Sequence, residues 1–173
     1  MSHTGIEVIQ GDITRIPADA IVNAANSALA MGGGVCGAIF RAAGVAELTA
    51  ACRAIGRCAT GDAVITPAFA IGTAKYIVHA VGPVYAEHAP DEAARLLRGA
   101  YASALAVAAA NGCTSIAFPA ISTGIYGYPL EEACAEAVSV CAADAPRLGL
   151  AVKLVAFDDL TAGTLRTALA SRT

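Results

Sequence analysis

A chain of 173 residues is long enough for one domain that buries most of its apolar surface, and a 57% hydrophobic share with only 14% charged residues indicates a compact core with few solvated tails. A formal net charge of −3 argues against a nucleic-acid groove, which needs clustered Lys and Arg, whereas the eleven basic residues here are scattered with no two adjacent. No stretch reaches the roughly 18 consecutive apolar residues that span a bilayer, and the opening residues show no basic segment leading into an apolar core, so neither a membrane partner nor a secretory leader is expected and the cytoplasm is the expected home.

Residues 6–9 alternate and read as a strand ending at Gly11-Asp12. That leaves Asp12-Ile13-Thr14 at a strand's C-terminal edge, where open α/β sheets place their ligands. Pro17-Ala18-Asp19 is a turn, and residues 19–23 form a short apolar strand internal to the sheet. Asn23-Ala24-Ala25-Asn26 leaves that strand and leads to Gly32-Gly33-Gly34, a backbone without Cβ atoms that can take positive φ and press against a ligand. From Val35 apolar residues recur at helical spacing (Val35, Ile39, Ala42, Ala43), which predicts a helix running towards Gly56 with a break or bend near Gly44. A glycine loop that feeds a helix N-terminus is a ready anion site, because those N–H groups have no intrahelical acceptor.

Thr60-Gly61-Asp62 signals a turn, and residues 63–66 and 75–80 read as two further strands with Gly72-Thr73 turning between them. Gly82-Pro83 closes the second. Asp91 is placed as the N-cap of a long helix over 92–110, stopped by Asn111-Gly112. Residues 115–118 are a buried strand followed by Pro119, a loop over 120–129, and a helix from Leu130 to about Ala143. A last strand, 151–157, precedes a last helix, 160–170. Strands alternating with helices, and lacking a polar face, define an α/β fold with a mostly parallel sheet covered on both sides. Six cysteines (36, 52, 58, 113, 134, 141) show no C-x-x-C pair or His-rich spacing, so no metal site is nominated and buried free thiols are expected.

In a parallel sheet the loops at 11–14, 23–34, 122–127 and 157–158 gather at one end. Two of them, 32–35 and Ser122-Thr123-Gly124-Ile125-Tyr126-Gly127, present successive backbone N–H groups suited to two adjacent phosphates. Asp12 can accept from an exocyclic amine, Phe157 can stack on a base, and Asn26 can bond ribose hydroxyls. The set describes a pocket for a nucleotide diphosphate with a sugar at each end.

These blocks, together with Gly82-Pro83 and the run from Pro119 to Pro129, resemble the macrodomain family in order and approximate spacing, over about residues 6–169. The resemblance implies a single three-layer α/β/α domain with a mixed, mostly parallel central sheet. The subgroup it looks most like is the MacroD type, which removes ADP-ribose from modified acidic side chains and deacetylates O-acetyl-ADP-ribose. By that resemblance Asp12 and the Ile13 backbone would hold adenine, with Phe157 against its face. Gly33, Gly34 and Val35 would hold phosphate together with the amides of Ser122, Thr123, Gly124, Ile125 and Tyr126. Asn26 would bind the distal ribose and Tyr126 would pack against it. Asp12 as a mere cap and Phe157 as a core strand residue are the plainer alternatives. No cofactor or metal is implied, the partners are ADP-ribose and ADP-ribosylated proteins, nucleic-acid-linked ADP-ribose is a further option, and a monomer is expected.

One stretch departs from the pattern. MacroD-type chains usually read Gly-Gly-Gly-Val-Asp-Gly-Ala-Ile-His, whereas here Cys36 and Phe40 stand at the Asp and His positions and Met31 replaces a further glycine. An i, i+4 pair shares one helix face, so a polar couple has become an apolar one. Cys36 is read first as a small neutral filler on Phe40, ahead of a thiolate at a helix N-terminus and of a covalent nucleophile, for which no base is offered nearby. Hydrolysis would then rely on a water held by Asn26 and loop amides and activated by the substrate's own phosphate. Binding without turnover, and ADP-ribose-1″-phosphate phosphatase activity, are the rival functions.

Overall fold

The computed structural model describes residues 5–172. Residues 1–4, which include His3 and much of the segment read against a secretory leader, lie outside the described residues, as does Thr173. A six-stranded sheet runs through the middle in the order β1-β6-β5-β2-β4-β3. The strands are β1 (Ile6–Gln10), β2 (Ala20–Ala25), β3 (Ala63–Pro67), β4 (Tyr76–Val81), β5 (Ser115–Phe118) and β6 (Ala151–Ala156). Every neighbouring pair is parallel except β3 with β4. The sheet is therefore mixed and mostly parallel, as the alternation of elements predicts.

Alternate side chains build a core on each face, as the period of two along a strand requires. Ala20, Val22, Val78, Ala80, Ile116, Phe118, Val152 and Leu154 point to a core shared with α3 (Pro90–Ala110), α4 (Leu130–Leu148) and α5 (Asp159–Ala170). Ile21, Ala25, Ile77, Val81, Ala117 and Val155 point to the other, shared with α1 (Gly34–Ala43) and α2 (Val45–Ile55). This makes the three layers. Parallel strands need crossovers, and burial on both faces explains why β2, β4 and β5 are mostly apolar, interrupted by Asn23 in β2 and His79 in β4.

The expected bend near Gly44 is a full break: the chain turns by 109° between α1 and α2, with Gly44 at φ 107°. Among the described residues no single helix is long and apolar enough to cross a membrane. Strand β2 runs two residues beyond its expected end, to Ala25, and three other boundaries differ for a plain physical reason. The N-cap of α3 is Ala89 with Pro90 in the first turn, and Asp91 lies inside that turn without capping. Proline's fixed φ and missing N–H suit the first helical position, and Asp91 contributes there as a negative charge near the positive helix end. Helix α4 runs past Ala143 and through Pro146 to a left-handed Gly149, because the apolar face continues through buried Ala145 and a proline this near the end forfeits little. Strand β6 stops at Ala156, leaving Phe157 outside the sheet.

The topology sets the site. β1, β2, β4, β5 and β6 are mutually parallel, so the loops that follow them all emerge at one edge.

Candidate functional site

The first wall of that edge follows β1. Asp12 caps a 3-10 turn over Ile13–Arg15, its Oδ1 accepting from the Thr14 amide at 2.9 Å and the Thr14 hydroxyl at 2.7 Å. These two bonds, with a smaller contribution from Arg15, hold its carboxyl below the usual range. Its side chain is 48% exposed, so capping and contact with a ligand are compatible. Ile13 is buried against the α1/α2 core and carries the turn.

The second wall follows β2. Asn26 closes the loop on itself: its Nδ2 donates to the Ala30 carbonyl and its Oδ1 accepts from the Ala30 amide, both at 3.0 Å. Cys36 sits in the first turn of α1, its thiol donating to the Ala30 carbonyl at 3.8 Å and its Sγ accepting from the Gly32 amide at 3.4 Å. Cys36 and Phe40 are both buried and belong to one apolar cluster. Of the three glycines only Gly34 takes positive φ, at 56°, while Gly33 is the N-cap at φ −86°. A Cβ on either Gly33 or Gly34 would meet nothing within 4 Å, so no packing inside the protein demands glycine at 33. The first-turn amides of Gly34, Val35 and Cys36 have no intrahelical acceptor, which is the general state of a helix start.

The third wall follows β5 and is strained. Ser122 is 6% exposed, has φ 69°, and its hydroxyl has no partner among the described residues. A non-glycine residue in this region costs energy and persists only where its surroundings impose it. Two contacts impose it. The buried Tyr101 hydroxyl on α3 donates to the Pro119 carbonyl at 3.2 Å and accepts from the Ile121 amide at 3.1 Å. Gly82 after β4 lets the loop approach so closely that a Cβ there would lie 2.2 Å from Ser122 Oγ and 2.5 Å from Ile121 Cγ2. The turn closes through Tyr128 N–H to the Ser122 carbonyl at 2.9 Å, and Tyr85 N–H donates to the Tyr126 carbonyl at 2.9 Å. Beyond Thr123, whose hydroxyl donates to Ala120 at 2.8 Å, Gly124 and Ile125 are exposed, Ile125 almost fully. Half-buried Tyr126 has its hydroxyl pushed up, first by burial and then by Cys36 and Glu87.

Phe157 is 80% exposed, which excludes the core-strand alternative. It stands beside Asp158, whose Oδ1 accepts from the Thr161 amide at 2.7 Å and caps α5. The structure thus brings Asp12, Asn26, Gly33 to Val35, Cys36, Ser122 to Tyr126 and Phe157 to one edge of the sheet.

Beneath the second wall lies a polar group that sequence reasoning missed. His79 on β4 pairs in register with Asn23 on β2. Its Nδ1 is 3.0 Å from Asn23 Nδ2, and its Nε2 is 3.0 Å from Thr66 Oγ1 and 4.0 Å from Cys52 Sγ. Complete burial pushes the imidazole down to about 4, so it is neutral near pH 7. Asn23 Oδ1 is buried without a partner among the described residues. His79 and the cysteines are far apart in sequence, and only the crossover through α2 and the β3–β4 hairpin brings Cys52 to it. Tyr101 and Gly82 were likewise missed as supports, although Gly82-Pro83 stood among the motifs and Tyr101 is the lone tyrosine of an alanine-rich helix. Among the described residues no three His, Cys, Asp or Glu side chains gather as a metal would require.

This edge, with two backbone-amide loops between an acidic turn and an asparagine, is the arrangement of an α/β nucleotide-binding domain. The Macro domain family model matches residues 22–137, and the chain belongs to that family. It is 52% identical over 165 residues to a Salmonella gallinarum protein named O-acetyl-ADP-ribose deacetylase, covering 91% of this chain and 89% of that one. Its fold is similar to the Oceanobacillus iheyensis macrodomain with ADP, with a TM-score of 0.91 at 36% identity over 99% of this chain and 94% of the other. It is also similar to the Trypanosoma brucei macrodomain in complex with ADP-ribose, with a TM-score of 0.85 at 36% identity over 95% and 69%.

Proposed function

We propose that the protein binds ADP-ribose and hydrolyses mono-ADP-ribose from modified Asp and Glu side chains, and deacetylates O-acetyl-ADP-ribose. The observation that carries the binding reading is the pair of amide-presenting loops at one sheet edge, Gly34 to Cys36 and the strained turn at Ser122 to Tyr126, flanked by Asp12 and exposed Phe157. Backbone N–H groups of this kind suit a pyrophosphate. The relative named as a deacetylase supports the hydrolytic half.

The reaction places a water between the Asn26 amide, the loop amides and the ligand's distal phosphate. That phosphate takes the water's proton as the oxygen attacks: at the ribose anomeric carbon the new C–O bond displaces the Asp or Glu carboxylate, whereas at the acetyl carbon it displaces the ribose oxygen, which takes the proton back from the phosphate and leaves as the hydroxyl. Asn26 orients; Tyr126 packs on the ribose and limits access. A dedicated general base contributes about 10² to 10⁴ in rate, so a site with Cys36 and Phe40 in place of a carboxylate and an imidazole turns over slowly. Those same two residues favour the second reading, a reader that binds ADP-ribose without turnover.

The deciding experiment incubates the protein with a glutamate-linked mono-ADP-ribosylated protein and, separately, with O-acetyl-ADP-ribose. Release above background supports the enzyme; micromolar ADP-ribose binding with no release of either leaves the reader. Asn26→Ala should cut hydrolysis far more than it weakens ADP-ribose binding, and equal losses would count against its orienting role.

A further inference from the structure

Cys36 does more in this structure than fill the place of an acid. Its bonds assign it a part of its own. The Ala30 carbonyl accepts from two donors, Nδ2 of Asn26 at 3.0 Å and the Cys36 thiol at 3.8 Å. Asn26 Oδ1 accepts from the Ala30 amide at 3.0 Å, and Cys36 Sγ accepts from the Gly32 amide at 3.4 Å. The loop over 26–32 is thereby closed as a ring that shares one acceptor between Asn26 and Cys36. Gly37 lets the ring lie flat on α1, since a Cβ there would stand 2.7 Å from the Gly32 carbonyl oxygen.

We propose that Cys36 is a positioning residue: by bonding the Ala30 carbonyl and the Gly32 amide it fixes the 30–32 turn, and through Ala30 the plane of the Asn26 amide, so that the second N–H of Asn26 meets the distal ribose. This rests on the ADP-ribose reading above. In the ring one N–H and one lone pair of the Asn26 amide are committed to Ala30, which fixes the amide plane and leaves its second N–H and second lone pair for a ribose hydroxyl. A ligand lying over the loop also displaces water, and a carbonyl left without a donor is costly. The thiol gives the Ala30 carbonyl a second donor, so the turn keeps its shape with the ligand in place. A carboxylate at position 36 has no proton to give there and would face the carbonyl oxygen with like charge. The replacement at 36 therefore changes how the loop is held, and not only which base is missing.

The test titrates ADP and ADP-ribose calorimetrically into the wild type, Cys36→Ala and Cys36→Ser. ADP lacks the distal ribose and is the internal control. Cys36→Ala should weaken ADP-ribose by about 3- to 10-fold, the worth of one modest hydrogen bond, and leave ADP unchanged. Cys36→Ser, which keeps a donor and an acceptor, should bring ADP-ribose back to within about twofold. In an Asn26→Ala background Cys36→Ala should have no further effect on ADP-ribose, because the two act through one acceptor. Should Cys36→Ala not fold, Cys36→Val takes its place. Equal changes for both nucleotides, no change in either, or a serine variant no better than alanine would overturn the proposal while the ADP-ribose reading stands. A wild type that binds neither nucleotide overturns that reading and the proposal with it.

Discussion

The two amide loops of the site are held in opposite ways. The loop after β2 is held mainly from within, through bonds among Asn26, Ala30, Gly32 and Cys36 that are at most six residues apart, with one bond from outside, Cys58 N–H to the Ser27 carbonyl at 3.0 Å, and buried Leu29 at φ 56°. The loop after β5 is held from outside, by a tyrosine on α3, a close approach of Gly82 and the amide of Tyr85. A loop whose bonds are mostly its own depends less on distant side chains. A loop kept at positive φ by distant groups is rigid only as long as those groups stay in place. Substitutions far from the ligand should therefore damage the second loop more than the first.

The strongest way to break this contrast is Gly82→Ala. The new Cβ would stand within 2.5 Å of two side-chain atoms of the β5 loop, and neither Ser122 nor Ile121 has room to retreat. Overpacking of this kind costs about 1–3 kcal/mol, and the displaced loop should lose ADP-ribose affinity by at least about tenfold on the same scale. Thermal denaturation and a binding titration read the two effects; an unchanged affinity would mean that the loop does not depend on Gly82.

Acid should act on the opposite side, under the loop after β2. The folded pKa of His79, about 4, lies below its value of about 6.5 in an unfolded chain. The folded state therefore binds fewer protons, and the contribution of His79 is complete above pH 6.5 and lost as pH falls through 4. The full swing is about 3 kcal/mol. Urea denaturation of the wild type and His79→Gln at pH 7 and pH 4.5 should show a smaller acid loss in the variant. Identical losses would place the acid sensitivity elsewhere.

Tyr101→Phe keeps the ring and removes only the hydroxyl that bridges Pro119 and Ile121. A buried amide without an acceptor costs about 1–3 kcal/mol, so the midpoint should fall and amide exchange at Ile121 should quicken, with the β2 loop unaffected. The smallest effect on stability belongs to Phe157→Ala, within about 0.5 kcal/mol at so exposed a site. If Phe157 stacks on adenine, ADP-ribose should weaken by about 2- to 10-fold. Adenine-free ribose phosphate would be indifferent to the change, and a stability loss without an affinity loss would return Phe157 to the fold.

Much of the fold was legible because its signals are local. Apolar runs between turn residues mark β2, β4, β5 and β6, and each lies within two residues of its expected place. The errors came where two local rules compete. Asp91 is a good capping residue, but Pro90 at the first helical position decides where α3 begins. The helix expected to end at about Ala143 continues, because buried Ala145 carries α4 through Pro146 to the left-handed Gly149. Within the site, the positions of Asp12, Asn26 and both glycine-bearing loops follow from strand direction alone. The partners of those residues do not: Asn26 and Cys36 turn to Ala30 because the glycine-freed backbone brings that carbonyl between them, and the residue types do not dictate such a geometry.

The amino-acid sequence by itself determines which segments become strands and helices, and the alternation of the two makes the sheet mostly parallel. Parallel strands put their C-terminal ends on one side, so the pattern also determines that five loops meet there. Only the tertiary structure decides what stiffens them. His79 with Asn23, Thr66 and Cys52, Tyr101 with Pro119 and Ile121, and Gly82 with Ser122 join residues 13 to 56 positions apart. Such pairs depend on side-chain directions across the sheet and on close approach measured in tenths of an ångström. Periodicity and composition carry no record of either.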